Sequence, residues 1–271
     1  MRENTRAIES DPRFSVQDFG PKGKWGVLRF SSPRAFHEAS VRYARTSNER
    51  WAQGNEQWAG LGQQSLADFD TSGIPRHGLA LARAANAALP IRRNKPGQVR
   101  PSVCGGAWNI PAVEAGIPLC ARMRHRTKLA PRTITLVETY SASVKQETLA
   151  PIFAKLARAI NDYTLAGGAV TLRVCVIGFA KSKSNGTVGL INEVRVPCND
   201  LAQVCLGLSV TAFRALGGPL CTAYSEKDQD GIVIPQSHEN PIPGSIYLGG
   251  RTTTGDISSS IDAVVKALEV S

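Results

Sequence analysis

The sequence predicts an α/β protein with an open, mostly parallel sheet that carries helices on both faces, preceded by a helical N-terminal region. Two observations lead to this prediction. Aromatic residues make up only 6% of a chain in which 42% of the residues are hydrophobic, which is the usual composition of an aliphatic sheet covered by helices. From Thr133 onward, segments with the period of a strand alternate with segments of helical period, as in sheets of parallel strands.

The N-terminal region, residues 1–100, begins without a clear pattern. Residues 1–30 mix charges with proline and glycine, so the sequence leaves open whether they are ordered. Within them, the apolar run WGVLRF at 25–30 is predicted to be either an edge strand or a docking segment.

Helices are predicted for most of the remaining N-terminal region. Ser31, Ser32 and Pro33 are typical of a helix start with proline in the first turn. The amphipathic segment that follows is predicted to end at Gly54. Two further helical segments come next, and the second of them stops at Pro90.

Residues 101–132 are predicted to form an irregular connector, because prolines and glycines interrupt any steady period. The basic charge of the chain is concentrated here and just before it. Between Arg76 and Arg132 there are eleven Lys or Arg residues and one acidic residue, Glu114, which accounts for the whole net charge of +10.

The basic segment 92–132 is the candidate site for an anionic partner. Residues two apart share one face of an extended chain, so its R-x-R-x-R-x-K run predicts a row of charge that can follow a phosphate backbone or an acidic protein surface. The alternative is a solvated face that contacts acidic loops of its own chain or of a neighbouring subunit. Helix-turn-helix and RNA-recognition motifs are absent, so nucleic-acid binding would be sequence-neutral. The candidate residues are Arg92, Arg93, Lys95, Arg100, Arg122, Arg124, Arg126 and Lys128.

Residues 133–271 are predicted to form one α/β domain that begins with a βαβ unit. ITLVETY at 134–140 is a predicted strand, and the long segment after it repeats apolar residues at spacings of three and four. This helix is predicted to end at Gly167 and Gly168. AVTLRVCVIGF at 169–179 is a nearly continuous apolar strand, typical of burial on both faces of a sheet. The two strands are therefore expected to be parallel.

The rest of this domain is predicted to contain further strands and two helices. A polar loop with a turn at Asn185 and Gly186 leads into an alternating strand that suits a sheet edge. The predicted elements are the edge strand LINEVRVP, the helix LAQVCLGLSVTAFRALG ending at Gly217 and Gly218, the short strands PLCTAY, GIVIP and SIYLGG, and a closing helix with Asp256 at its N-cap.

This order of elements, with an early antiparallel edge strand, resembles the von Willebrand A domain. In that family the first strand ends in a D-x-S-x-S loop, which helps to hold a divalent metal that bridges to a partner's carboxylate. The corresponding residues here are Thr139, Ser141 and Ser143. Thr139 stands where the family has aspartate, and a neutral hydroxyl is a poor ligand for a hard cation. The resemblance therefore implies a degenerate loop without metal, which binds a partner through these three residues and Asp228.

Asp228 belongs to the acidic segment SEKDQDG. The resemblance implies that this segment faces the Ser-Ala-Ser turn. The alternative is that this segment is an ordinary exposed turn, because D-x-D-G is typical of such turns.

A second resemblance covers residues 100–180, which are similar to an uncharacterised family encoded mostly by bacteriophages. The shared features are IPAVEAGIP at 110–118 with Met123 after it, then an apolar strand, a Ser-Ala-Ser turn and a long alanine-rich helix. This resemblance implies the fold and a viral origin, and it carries no activity with it.

No catalytic constellation is recognisable. Ser141 is the best positioned hydroxyl, because open α/β sheets bind ligands at the carboxyl ends of their strands. However, G-x-S-x-G is absent, and a hydrolase would need His238 or Asp228 within hydrogen-bond reach of Ser141. The phosphate-binding motifs G-x-x-x-x-G-K-[ST] and G-x-G-x-x-G are also absent. The six cysteines form no C-x-x-C pair, and free buried thiols explain them better than disulfides or zinc.

Together these patterns predict a protein without enzyme activity, metal or cofactor. The chain has no run of eighteen apolar residues and a charged N-terminus, which argues against membrane spanning and secretion. The expected location is the cytoplasm of the host cell, with the virion as the alternative. The first hypothesis is a scaffold or assembly protein that binds phage or host proteins and is free to form an oligomer. The second is a sequence-neutral nucleic-acid-binding protein of a virion or replication complex, which contacts DNA or RNA backbones through residues 92–132.

Overall fold

The fold is known from a computed structural model. The structure describes residues 2–44, 81, 83–84, 99–102, 107–108, 121–124, 129–139, 146–179, 186–198, 201–224, 240–249 and 254–269.

Helices and strands mix along the whole described chain. The helices are α1 (Arg2–Glu9), α2 (Pro33–Ala44), α3 (Gln146–Leu165), α4 (Leu201–Gly207), α5 (Val210–Tyr224) and α6 (Thr254–Leu268). The strands are β1 (Phe14–Asp18), β2 (Lys24–Phe30), β3 (Val99–Ser102), β4 (Ala107–Trp108), β5 (Ala121–Arg124), β6 (Arg132–Thr139), β7 (Val170–Phe179), β8 (Gly189–Val196) and β9 (Ile246–Gly249).

Six strands form one mixed sheet in the order β1-β2-β8-β7-β6-β9. The pairs β2/β8, β6/β7 and β6/β9 are parallel, whereas β1/β2 and β7/β8 are antiparallel. The predicted α/β class with a mostly parallel sheet is therefore confirmed. A smaller antiparallel sheet has the order β3-β5-β4.

The βαβ unit predicted from Thr133 onward is present as β6, α3 and β7, with the two strands parallel. Helix α3 ends at Leu165, and Gly167 follows it with a φ of 95°. This left-handed conformation is the one that favours glycine after a helix, so the predicted C-cap is confirmed.

The N-terminal region contributes two strands to the main sheet in addition to helices α1 and α2. The run at 25–30 lies within β2, which is an interior strand and not an edge, because β1 covers one side of it and β8 the other. Its residues explain this position: Trp25 and Val27 are buried on one face of the sheet, and Leu28 and Phe30 on the other. Helix α2 starts where predicted, and Ser32 Oγ accepts a hydrogen bond of 3.2 Å from the backbone N–H of Ala35.

The expectation that LINEVRVP lies at a sheet edge is wrong. This segment is β8, which pairs with β7 on one side and with β2 on the other. Its Leu190 and Ile191 are both buried although they point to opposite faces. The alternation that suggests an edge comes only from Glu193 and Arg195, at the far end of the strand.

The expected end of a helix at Gly217 and Gly218 and the expected strand PLCTAY are also wrong. Helix α5 runs from Val210 through both glycines and Pro219 to Tyr224. Gly217 lies against strand β7, where a Cβ would come within 2.4 Å of Val176 Cγ1. The glycine therefore permits a close approach between helix and sheet.

One face of the main sheet carries the principal core. All six helices bounded above contribute buried side chains to this cluster, together with sheet residues such as Leu28, Leu136 and Val174. Among the described residues, the expected helical cover on the second face is not found. The buried residues of α3, α5 and α6 all belong to the same cluster, which shows that these helices pack on the same side of the sheet.

The second face of the main sheet is called here the open face, because no described helix covers it. This face is apolar at one end and charged at the other. Its apolar end is a small buried cluster of Trp25, Val27, Val137, Cys175, Ile177 and Ile191. Strand β7 was expected to be buried on both faces, but its Arg173 side chain is 46% exposed at the charged end.

Candidate functional site

The first candidate site is the carboxyl end of β6. Strand β6 ends at Thr139, whose register partner is Gly249 at the end of β9. Ser141, Ser143, Asp228 and also His238 lie outside the described residues.

Strand β6 has parallel neighbours on both sides, β7 on one and β9 on the other. The carboxyl end of β6 thus lies beside the carboxyl ends of two parallel strands, at the edge where open α/β sheets bind their ligands. Glu138, one residue before the end, is buried and pairs with Leu248. It alternates with Thr139, so it does not replace the missing aspartate of the loop.

The second candidate site is the basic segment, which is partly described as the small sheet. Arg122 and Arg124 both lie in strand β5, two positions apart, so this part of the predicted row is in an extended strand. Arg100 lies in β3 and is the register partner of Met123, so its position alternates with those two arginines. Arg92, Arg93, Lys95, Arg126 and Lys128 lie outside the described residues.

The structure also brings together a basic group that the sequence reasoning missed. Arg29 of β2, Glu193 and Arg195 of β8 and Arg173 of β7 lie next to one another on the charged end of the open face. We call this group the arginine row. It contains three arginines and one carboxylate, although the chain outside residues 76–132 as a whole carries as many acidic as basic residues.

Glu193 lies between two of the arginines. Its Oε2 is 3.9 Å from Arg29 Nε, and its Oε1 is 3.6 Å from Arg173 Nη1. Arg29 Nη1 also donates a hydrogen bond of 2.8 Å to Ser15 Oγ on β1. Arg195 is exposed and is the direct register partner of Arg173.

One sequence signal points to this row. In the strand GLINEVRV, Glu193 and Arg195 are two residues apart and therefore share one face, and Arg173 is the only charge in the otherwise apolar strand VTLRVCVIGF. A charge inside a buried strand marks a place where the sheet meets solvent. Only the pairing of β7 with β8 shows that these charges meet.

Thiol chemistry next to the arginine row is disfavoured. Cys175 is buried and pairs with Glu193. Burial raises the pKa of the Cys175 thiol far above its usual value, and the negative charge of Glu193 raises it further. The thiolate is the form that attacks or binds metal, so Cys175 is an inert core residue at neutral pH.

Within the described ranges, no group of three or more His, Cys, Asp and Glu side chains is arranged to hold a metal ion. None of the helices in the same ranges has both the length and the apolar character needed to cross a lipid bilayer. No known protein family, curated protein or solved structure matches this chain.

Proposed function

We propose that this chain is a non-enzymatic binding or scaffold protein on a von Willebrand A-like sheet, whose protein partner binds at the carboxyl end of β6. The observation that carries the proposal is the position of β6 between two parallel neighbours, which makes its end at Thr139 the expected ligand crevice. The antiparallel pairing of β8 with β7 also agrees with the von Willebrand A-like assignment, whereas the interior position of β8 departs from it. The resemblance of residues 100–180 to a phage family supports a viral origin, with the infected host cell or the virion as the place of action.

The chemistry at this end of the sheet favours binding over catalysis. Thr139 provides no negative charge to the crevice. Glu138, the residue before it, belongs to the opposite, helix-covered face of the sheet. Hydroxyl groups of the Thr139, Ser141 and Ser143 segment are suited to hydrogen bonds with a partner. A hard cation would want carboxylate oxygens in their place.

Affinity capture with matched variants tests this proposal. The tagged protein and the Ser141→Ala/Ser143→Ala variant are each used to capture proteins from phage-infected cells, with Arg34→Ala as the control. Arg34 is on helix α2, its side chain is 73% exposed, and its ion pair with Glu38 is a surface one. We expect the serine variant to lose the specific partners and the Arg34 variant to keep them.

Two outcomes would contradict the crevice. Equal capture by the wild type and the serine variant would show that the partner binds elsewhere. Loss of capture in EDTA would show a working metal site, against the degenerate loop proposed here. Capture that is unchanged by EDTA and lost with the serines is the expected result.

A second candidate function, sequence-neutral nucleic-acid binding through residues 92–132, is favoured by the register of the small sheet. Arg122 and Arg124 are alternate residues of β5, the spacing that a row of phosphate contacts requires. Six such contacts would give a log–log salt slope of roughly −4 to −5. Fluorescence anisotropy of labelled DNA and RNA with the Arg122→Ala/Arg124→Ala variant tests it, and binding without salt dependence would refute it.

A further inference from the structure

We propose that the arginine row on the open face is a binding surface for the phosphate backbone of a nucleic acid. The site uses none of the residues 92–132 and does not depend on the crevice at the end of β6. Its residues come from three neighbouring strands, β2, β8 and β7, which places Arg29, Arg173 and Arg195 on one exposed surface.

The first argument is that two positively charged side chains lie opposite each other in the sheet. Arg173 and Arg195 are direct partners in the antiparallel pair of β7 and β8, where like charges opposite each other destabilise a sheet. Among the described residues, Arg195 forms no ion pair with a carboxylate that would offset this repulsion. A bound anion between the two guanidinium groups would offset it.

The second argument is that two of the three arginines, Arg29 and Arg173, are ordered in advance. Glu193 approaches both Arg29 and Arg173, and Ser15 accepts a hydrogen bond from Arg29. The Glu193 side chain is 24% exposed, against 42% and 46% for the two arginines. The carboxylate therefore lies deeper and holds the guanidinium groups, which remain accessible from solvent. Such preorganisation lowers the entropy cost of binding.

The third argument concerns the kind of ligand. Guanidinium groups match phosphate oxygens with two parallel hydrogen bonds, and the row is flanked by the hydroxyl-bearing residues Thr135, which pairs with Arg173, and Thr133. Neighbouring strands are about 4.8 Å apart and alternate residues about 6.6 Å apart, so the charges form a flat, closely spaced group.

Protein interfaces usually have an aromatic or aliphatic centre. The large hydrophobic residues exposed in the described part of the chain are Val16 and Leu165, and neither belongs to this row. Arginines without an apolar centre fit a phosphate backbone better than a protein surface, and they would read no base sequence.

Fluorescence anisotropy of a labelled oligo-dT strand against the full-length protein tests the proposal. The variant is Arg173→Thr/Arg195→Thr, because threonine suits a strand, and Arg34→Ala is the control. With a single-strand slope of about 0.7 per contact, two lost contacts weaken binding roughly twenty-five-fold at 0.1 M salt and reduce the salt slope by about 1.4. Arg173→Lys/Arg195→Lys keeps the charge and should keep the slope.

Thermal unfolding of the same variants separates binding from folding. If the two arginines serve binding, removing their repulsion leaves the midpoint of the threonine variant unchanged or raises it. A lower midpoint together with unchanged DNA binding would show a structural role and overturn the proposal.

Two further outcomes would also overturn it. If the Arg122→Ala/Arg124→Ala variant loses all DNA binding while the threonine variant loses none, the backbone is bound by the small sheet alone. If poly-glutamate displaces the oligonucleotide at equal charge concentration, the row is a surface for acidic proteins. Neither result bears on capture through Ser141 and Ser143, so this proposal and the proposed scaffold function fail separately.

Discussion

Replacing Gly217 with alanine tests the close contact between helix α5 and strand β7. A Cβ at this position would lie 2.4 Å from Val176 Cγ1 and 3.0 Å from Val176 Cβ. Ordinary carbon contacts are about 3.5 to 4.0 Å, so the helix or the valine must move. The side chain of Val176 is the obstacle, and removing it should relieve the overlap.

The expected free energies follow from two opposing effects. Alanine in a helix interior is about 1 kcal/mol more favourable than glycine, whereas overpacking of this kind costs roughly 2 kcal/mol. Gly217→Ala should therefore lower the free energy of unfolding by about 1 kcal/mol. Val176→Ala should lower it by about 2 kcal/mol. In the double variant the overlap is gone, so the total loss is about 1 kcal/mol and not 3, a coupling of about 2 kcal/mol.

Urea unfolding of the wild type, both single variants and the double variant measures this coupling. For a chain of this size, 1 kcal/mol also corresponds to about 2 to 4 °C in the thermal midpoint. A coupling within about 0.5 kcal/mol of zero would refute the contact. That result is the one expected if the helix ended at Gly217, because an alanine at a left-handed C-cap is strained whatever residue 176 is.

Three further predictions concern pH and a single hydrogen bond. The hydrogen bond from Arg13 holds the pKa of Asp11 below its ordinary 3.8, so its stabilisation is present above that pH and is lost in more acidic solution; Asp11→Asn should flatten the loss of stability on acid titration followed by circular dichroism. Burial raises the pKa of Cys221 from 9.0 to about 12, so its contribution to stability is complete below pH 9 and falls as the pH rises toward 12. Cys221→Ala should show less alkaline destabilisation in urea titrations, and an identical profile would contradict the burial of this thiol. Tyr163 Oη donates to the backbone oxygen of Ala130 at 2.5 Å, so Tyr163→Phe should cost about 1 kcal/mol in thermal unfolding.

The sequence predicts the βαβ unit well because its signals are local. Strand β6, helix α3 and strand β7 each have a clear period, and Gly167 ends the helix by a local backbone conformation. Parallel pairing follows from the length of the connection. These features need no knowledge of distant residues.

The errors arise where the neighbour is distant in sequence. Strand β8 has the alternation of an edge strand, and only its pairing with β2 makes it interior. Gly217 has the form of a helix end, and only its contact with Val176 shows that the helix continues. Pairings between segments more than 150 residues apart leave no periodic signal in either segment.

The same limit applies to the candidate sites. The position of Thr139 at the end of β6 is predictable, because the strand and its turn are adjacent in sequence. The arginine row is not, because its arginines are scattered over three distant segments and the chain outside residues 76–132 carries no net charge as a whole. Its charge is concentrated only when β2, β7 and β8 lie side by side.

The pairing of β2 with β8 has a consequence for how the chain folds. Strand β2 is synthesised before its partner β8, Gly189–Val196, which follows more than 150 residues later. Contacts of such high sequence separation slow folding. During that interval the side of β2 that β8 later covers is an open edge, which invites pairing with another chain. Loss of residues 1–30 would remove β2 and leave the matching side of β8 uncovered in the folded sheet, and the shortened protein should then aggregate through β8.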